Sequence, residues 1–183
     1  MKRKFYSIFL IFLPALLLLN SCGAGKTTGS SLNEDEVKEL LDARQFKFIA
    51  TRAFPTDQAV TDIMQHMGSG SGYRILDLNS GNELTLKDRE LKGSLPFFGR
   101  LYRSNYGSQD QSFSFDFKDI QIEQTDKDKK TSLTIYPGEK GQSNVDKLYF
   151  EIFKNGKASL SVSANDRQTI SYNGYITSLK ENN

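Results

Sequence analysis

Short segments in which apolar and polar side chains strictly alternate constrain the fold of this chain most strongly. The clearest is Phe113 to Phe117, where three phenylalanines alternate with Ser114 and Asp116. Alternation with a period of two residues places one set of side chains on each face of a β-strand. Comparable segments occur at 45–54, 147–153, 158–163 and 169–176. Strands at such short spacing predict a mainly β fold, an antiparallel barrel or sandwich.

One short helix is predicted before the first strand. Asn33 or Ser31 can serve as its N-cap, since both side chains accept hydrogen bonds from free backbone N–H groups. Three acidic residues would occupy the first turn and Arg44 the last turn, so that charge complements the helix dipole at both ends. The apolar face of this helix consists of Val37, Leu40 and Leu41.

The connections in the first two thirds of the chain predict further strands. Tyr73 to Leu78 and Glu83 to Leu86 suggest a hairpin across residues 79–82, whereas residues 56–67 fit either a helix or an irregular pair of strands. Ile120 and Ile122 continue the pattern of the preceding phenylalanines with opposite parity. An additional residue, in a bulge or a turn around 118–119, is therefore expected.

The dipeptide Asn155-Gly156 predicts a hairpin, and its register depends on burial. A two-residue type I′ turn would place Lys154 opposite Lys157 and a row of apolar side chains beside a row of serines. A three-residue loop, 154–156, instead puts all six apolar side chains on one face. We expect this second register, with Gly156 at positive φ. It pairs Ile152 with Ala158, Phe150 with Leu160, and Leu148 with Val162.

The first 21 residues have the layout of a secretory signal. Lys2-Arg3-Lys4 precedes an apolar run of 15 residues, Phe5 to Leu19, which is shorter than the roughly 20 residues that span a membrane as a helix. The run ends in Leu19-Asn20-Ser21-Cys22, which resembles the lipobox of bacterial lipoproteins. We therefore expect acylation, for example with palmitate, at Cys22. The Gly-, Ser- and Thr-rich residues 22–31 would form a flexible tether, and residues 32–180 a single β-rich domain.

Removal of the signal changes the charge and the cysteine count. Without Lys2, Arg3 and Lys4, 21 basic side chains face 22 acidic ones, so the chain carries no excess of positive charge for nucleic acid. Cys22 is the only cysteine. Once it holds the lipid, the body of the protein has no thiol for a disulfide, a nucleophile or a metal site.

The patterns typical of catalytic and metal sites are incomplete. The only histidine, His66, lies beside a Gly-rich segment, where a surface position is expected. Asp126-x-Asp128 begins like a calcium loop, but Lys130 and Thr131 follow, so a solvated hairpin loop is predicted. Gly23 to Thr27 ends like a phosphate-binding loop whose first glycine is replaced by Asn20. We assign no catalytic residue, metal or cofactor; a pair of carboxylates brought together by the fold is the open alternative.

The segment Leu95 to Tyr102 collects apolar side chains around one proline and one glycine. Pro96 cannot donate to a sheet and Gly99 permits close approach of backbone, so we expect a kink that is buried on both sides. Arg100 is the single charge in this segment. A half-buried guanidinium paired with a carboxylate or carbonyl is expected, and Arg100→Ala would then cost about 3 kcal/mol of stability.

Two segments, Leu95 to Tyr102 and Asn165 to Ile176, resemble a family of Bacteroidota envelope lipoproteins catalogued as domain of unknown function 4251. The similarity runs from about Ala43 to Ile176 and implies a lipid-anchored envelope protein without an assigned reaction. The positions that carry it are Leu95, Pro96, Phe97, Phe98, Gly99, Arg100 and Tyr102, followed by Arg167, Ile170, Tyr172 and Gly174.

The sequence therefore predicts a protein without enzymatic activity, anchored in the outer membrane through Cys22. Surface-export signals in such bacteria resemble acidic runs just after the lipidated cysteine. Residues 23–26 are not acidic, which favours the periplasm-facing side. The chain would be a structural or interaction module for an unknown envelope protein. The alternative is a binding protein for a small apolar or amphipathic ligand in a pocket, because ten Phe and seven Tyr follow the signal. The same aromatics could equally form the core and cross-strand pairs.

Overall fold

The computed structural model describes residues 32–56, 62, 66, 76–102, 112–138 and 144–179. Within them, nine strands form one antiparallel sheet that curls into a half-barrel, preceded by one short helix. The mainly β prediction with a short N-terminal helix is therefore confirmed. The elements are helix α1 (Glu34–Asp42) and strands β1 (Gln45–Pro55), β2 (Glu83–Lys87), β3 (Glu90–Pro96), β4 (Ser112–Phe117), β5 (Gln121–Lys127), β6 (Lys130–Tyr136), β7 (Val145–Phe153), β8 (Lys157–Ala164) and β9 (Ile170–Thr177).

The strand order, β4-β3-β2-β1-β9-β8-β7-β6-β5, joins two runs of consecutive strands at the pair β1–β9. Phe48 lies opposite Ile176 and Ala53 opposite Tyr172, with a bulge between Ala50 and Arg52. Gly174 lies in this seam, and a Cβ placed on it would be 2.0 Å from the Ile49 carbonyl oxygen. Only glycine allows the two central strands to approach this closely.

The curl of the sheet follows from the connection between its two edges. β4 and β5 lie at opposite ends of the strand order, yet only residues 118–120 separate them in the chain. Such a connection spans at most about 14 Å, so the two edges approach one another at this corner. Asp119 has a φ of 53°, and Ile120 is buried with its N–H donated to the Arg89 carbonyl oxygen at 3.1 Å. The predicted turn around 118–119 is confirmed.

The core consists of the apolar side chains on the inner face of the curled sheet. Phe150 lies at its centre and makes edge-on contacts with Phe46 and Phe48, at centroid distances of 6.1 and 5.5 Å. Phe46, Phe48 and Ala50 are buried, and so are Phe113 and Phe115, as the alternation predicts. Helix α1 adds Val37 and Leu41 to this core, while Leu40 packs at its margin.

The N-terminus of α1 is capped as expected, but its C-terminus is not. The Asn33 side chain accepts from the Glu36 N–H at 2.9 Å, and the Glu36 carboxylate accepts from the Asn33 N–H at 2.8 Å, which forms a capping box. The helix ends at Asp42, and the prediction of Arg44 in its last turn is wrong. Arg44 adopts a φ of 53° because the chain reverses there to enter β1.

The hairpin between β7 and β8 has the predicted three-residue loop. Ile152 pairs with Ala158, Phe150 with Leu160, and Leu148 with Val162. Gly156 has a φ of 76° and donates its N–H to the Phe153 carbonyl oxygen at 2.9 Å. The hairpin loop predicted around Asp128 is also present, between β5 and β6.

The predicted pairing of Tyr73–Leu78 with β2 is wrong. β2 pairs with β1 on one side and with β3 on the other, so neither of its edges is free. Asp77 instead forms a bridge with Arg52, and the Leu78 N–H donates to the Thr51 carbonyl oxygen at 2.8 Å. Residues 1–31, with the predicted signal, tether and Cys22, and most of 56–67 lie outside the described residues. In the part that is described, no helix is long and apolar enough to cross a membrane.

Candidate functional site

The two segments that carry the sequence resemblance meet at one end of the half-barrel. The loop 96–102, which leaves β3, pairs with residues 166–168 between β8 and β9, and we call this contact the latch. The Tyr102 N–H donates to the Asp166 carbonyl oxygen at 2.7 Å. The backbone of Arg100 accepts from the Gln168 N–H at 3.1 Å and donates to the Gln168 side chain at 3.0 Å. The latch thus ties the N-terminal run of strands to the C-terminal run.

Arg167 and Asp166 form an ion pair inside the latch. Each side chain is only 10% exposed. Arg167 donates Nε to Asp166 Oδ1 at 3.1 Å and Nη2 to Oδ2 at 2.9 Å. Asn144 donates a third hydrogen bond to this carboxylate at 3.0 Å, and Arg167 Nη1 donates to the Ser112 carbonyl oxygen at 3.2 Å. The two parallel bonds fix the guanidinium in both position and orientation.

Two phenylalanine rings flank the Arg167 guanidinium. Its Cζ atom lies 5.2 Å from the centroid of Phe97 and 4.9 Å from that of Phe113. The two rings contact each other edge-on at 5.5 Å. Because each ring face carries partial negative charge, both contacts favour the cation. Phe97 comes from the loop and Phe113 from β4, so Arg167 holds two separate segments against the β8–β9 connection.

Tyr172, on strand β9, adds a hydrogen bond to the loop of the latch. Its side chain is fully buried on β9, and its hydroxyl donates to the Pro96 carbonyl oxygen at 2.7 Å. Burial raises the pKa of Tyr172 far above its ordinary value, and the charge of Arg167 opposes this shift only partly. The phenol therefore remains protonated and acts as a hydrogen-bond donor.

The half-buried position predicted for Arg100 is wrong, and the largely buried guanidinium of this region is that of Arg167. The side chain of Arg100 is exposed, because the loop turns the backbone of this residue toward Gln168. The predicted burial holds for Leu95 and Phe97 and partly for Phe98, but Tyr102 is 61% exposed. The segment is therefore buried in its first half and exposed from Arg100 onward.

Most of the predicted motif positions come together in the latch, and one does not. Gly99 belongs to it, since an added Cβ would lie 2.8 Å from the Phe97 ring. Gly174 lies in the β1–β9 seam instead. Asp166, Asn144 and Gln168 were not among the predicted positions, although the acid next to Arg167 is a signal that could have identified the ion pair.

The chemistry available to the latch is that of a structural contact. Its guanidinium, carboxylate and phenol hydrogen-bond one another or the backbone, as described above. Across the described ranges, no group of three or more His, Cys, Asp or Glu side chains is placed to hold a metal ion. His66 is exposed, as expected, with Nδ1 2.7 Å from the Asp62 carbonyl oxygen.

Two surface depressions lie near the opposite end of the sheet, by helix α1. The helix cleft, about 400 Å³, lies between α1 and the β5–β6 hairpin. Val37, Leu41 and Ile152 contribute apolar side chains to it. Charged side chains of both signs also line it: Glu34, Asp42, Asp126, Asp128, Lys38, Lys127, Lys130 and Lys154.

The second depression, the hairpin groove, lies beside the β7–β8 loop and has a volume of about 590 Å³. Its surface is mainly apolar, with Phe153 and Ala158 among the contributors. Three lysines, Lys129, Lys154 and Lys157, line it, and none of the described lining residues is acidic. The two depressions therefore differ in charge, since the helix cleft carries both signs and the hairpin groove only the positive one.

Comparison with known proteins gives one match. A family model described as Domain of unknown function (DUF4251) matches residues 29–176, which include both halves of the latch. No curated protein and no solved structure matches the chain. Because the family model covers most of the chain, this protein belongs to the domain of unknown function (DUF4251) family.

Proposed function

We propose that this protein is a non-catalytic structural or interaction module of the cell envelope, held on the outer membrane by a lipid at Cys22. The latch is the observation that supports this proposal most directly. Its ion pair is only 10% exposed and its phenol is buried, and each of these groups bonds to another part of the fold. The residues that distinguish the family-like segments thus stabilise the domain and leave its surface for contacts with partners.

The lipid anchor is supported by the sequence Leu19-Asn20-Ser21-Cys22 at the end of the apolar run. The test is metabolic labelling with radioactive palmitate, followed by membrane fractionation. We expect label in the wild type and in a Ser30→Ala control, and none in Cys22→Ala. Label in the Cys22→Ala protein, or an unlabelled wild type, would contradict the anchor.

A second candidate is the binding of a small amphipathic ligand. Phe48, Phe150 and Leu160 are among the large side chains that fill the inner face of the sheet, which argues against a ligand enclosed there. The mainly apolar hairpin groove favours a ligand at the surface instead, since its volume lies within the range of small-molecule sites. Solvent extraction of the purified protein followed by mass spectrometry tests this candidate. A stoichiometric small molecule in the extract would support it, and an empty extract would favour the interaction module.

A further inference from the structure

We propose that the hairpin groove rests on the anionic phospholipid surface of the membrane, with lipid phosphates bound by Lys129, Lys154 and Lys157. This inference rests on the proposed lipid anchor and adds an orientation to it. The half-barrel would stand with helix α1 and the β7–β8 loop toward the bilayer and the latch away from it.

The charge of the groove is the first argument. Lys154 forms an ion pair with Glu34 at 2.6 Å, but Lys129 and Lys157 have no carboxylate within ion-pair distance among the described residues. Elsewhere on the outer face, lysines such as Lys47 and Lys92 are paired with Glu83 and Glu90. Lysines are the only charged residues among the described lining residues, so the depression complements an anion. Each lysine near an anionic bilayer favours contact with the membrane roughly fivefold.

The apolar part of the groove is the second argument. The Phe153 side chain is 40% exposed. Lysines lie on both sides of it, since Phe153 is opposite Lys130 on β6 and four residues before Lys157. Ala158 and Gly174, which lie opposite each other on β8 and β9, add two small residues to the lining of the groove. An aromatic side chain surrounded by lysines is typical of surfaces that insert into the boundary between headgroups and acyl chains.

The position of the proposed anchor is the third argument. The Glu34–Lys154 ion pair places the first turn of α1 beside the β7–β8 loop. Asn33 lies eleven positions after Cys22, and a Gly- and Ser-rich coil of that length spans about 18 Å on average. The groove thus lies near the end of the domain from which the tether leads to the bilayer. A tether of this length lets the groove reach the bilayer surface, where the potential decays over roughly 10 Å.

The test uses the full-length acylated protein, whose only native thiol is blocked by the lipid. Asn173→Cys places a thiol in the groove, and Asn165→Cys places one in the connection at the other end of β8. Each is labelled with an environment-sensitive bimane and incorporated into vesicles of phosphatidylcholine, with or without phosphatidylglycerol. We expect a blue shift and quenching by nitroxide lipids at Asn173→Cys in the anionic vesicles only, and no change at Asn165→Cys.

A charge-matched pair of variants completes the test. Lys129→Gln, Lys154→Gln and Lys157→Gln together are expected to abolish the shift, whereas a control combining Lys47→Gln, Lys92→Gln and Lys147→Gln retains it. Melting midpoints confirm that both triple variants fold. Protein that floats with the vesicles but shows no shift at Asn173→Cys overturns the inference and leaves the anchor intact. Protein that floats with neither vesicle overturns the anchor and the inference together. An equal shift in both vesicle types that grows with protein density indicates a second copy in the groove and also overturns the inference.

Discussion

Arg167 shows how strongly the latch depends on one side chain. Its guanidinium bonds to Asp166 and contacts two aromatic rings, with only 10% of the side chain exposed. Removing it would leave the Asp166 carboxylate with the Asn144 amide as its remaining hydrogen-bonding side-chain partner in the described structure. A charge that is nearly buried and has lost its counterion is among the most costly defects in a protein.

We therefore expect Arg167→Ala to lower the free energy of unfolding by about 3 kcal/mol or more. Urea unfolding followed by circular dichroism measures this. Arg100→Ala is the matched control, with an expected change below about 1 kcal/mol, because the side chain of Arg100 is exposed and its backbone contacts survive the substitution. Equal losses in the two variants would contradict the assignment of the ion pair to Arg167.

Tyr172 gives the latch a dependence on alkaline pH. Its pKa is raised in the folded state, so the folded protein keeps a proton that an unfolded tyrosine loses near pH 10. The stabilisation is complete below that pH and decreases as the pH rises above it. We expect Tyr172→Phe to cost about 1 kcal/mol at neutral pH through the lost hydrogen bond to Pro96.

Above about pH 10 the stability of Tyr172→Phe should fall less steeply than that of the wild type. Urea midpoints measured on both sides of this pH provide the comparison. Tyr102→Phe, at an exposed position, is expected to follow the wild type throughout. If the urea midpoints of Tyr172→Phe and the wild type fell in parallel, the Tyr172 phenol would not contribute to the loss of stability at alkaline pH.

The sequence identified the segments of the latch but assigned its charge to the wrong residue. The sequence motifs include Pro96, Gly99, Arg167 and Tyr172, and the structure places all four together. Arg100 was chosen because apolar residues surround it in the chain. Burial, however, depends on which atoms approach in space, and Arg100 is exposed while its backbone bonds to Gln168.

At the scale of elements, the β7–β8 hairpin shows that register follows from burial. Deleting Lys154 leaves Asn155-Gly156 as a two-residue turn and keeps Ile152 opposite Ala158. Deleting Ser159 removes one residue inside β8 and turns Leu160 and Val162 toward solvent. We expect the first deletion to change the free energy of unfolding by less than about 2 kcal/mol, and the second to abolish cooperative unfolding.

Thermal unfolding followed by circular dichroism distinguishes the two deletions. Each removes one residue from the same hairpin, so each serves as the control for the other. A stable Ser159 deletion would mean that β8 accommodates the lost residue with a local irregularity and that burial does not determine its register.

The elements themselves were largely predictable, while some of their ends and partners were not. Alternation identified β1, β4, β7, β8 and β9, because one face of each is buried. The hairpin assigned to Tyr73–Leu78 failed because β2 is flanked by β1 and β3, and pairing partners cannot be read from alternation. Arg44 fell outside α1 because the helix ends two residues earlier than the charge pattern suggests.

At the scale of the whole molecule, the β1–β9 seam makes the two runs of strands one cooperative unit. Gly174→Ala would place a methyl group against the Ile49 carbonyl oxygen in this seam. We expect a loss of about 3 kcal/mol or more, with a single unfolding transition. Gly81→Ala is the control, since no atom lies within 4 Å of its added Cβ and only its φ of 101° is strained. Its expected cost is about 1 kcal/mol.

Two separate unfolding transitions in Gly174→Ala would show instead that the runs of strands fold independently. The strand order could not be predicted from the sequence, which gives the strands but not the pairing of the first with the last. The proximity of β4 and β5 in the chain even suggests a hairpin, whereas the sheet places them at its two edges.

The central position of β9 also affects how the chain reaches its native state during synthesis. β1 emerges early, but the strand that covers its second edge appears only after about 115 further residues. Until then the edge of β1 and the inner face beside it are open to other chains. The proposed export would require the chain to be kept unfolded until β9 has crossed the membrane. Arrest of synthesis before β9 emerges should leave an aggregation-prone intermediate, not a smaller stable domain.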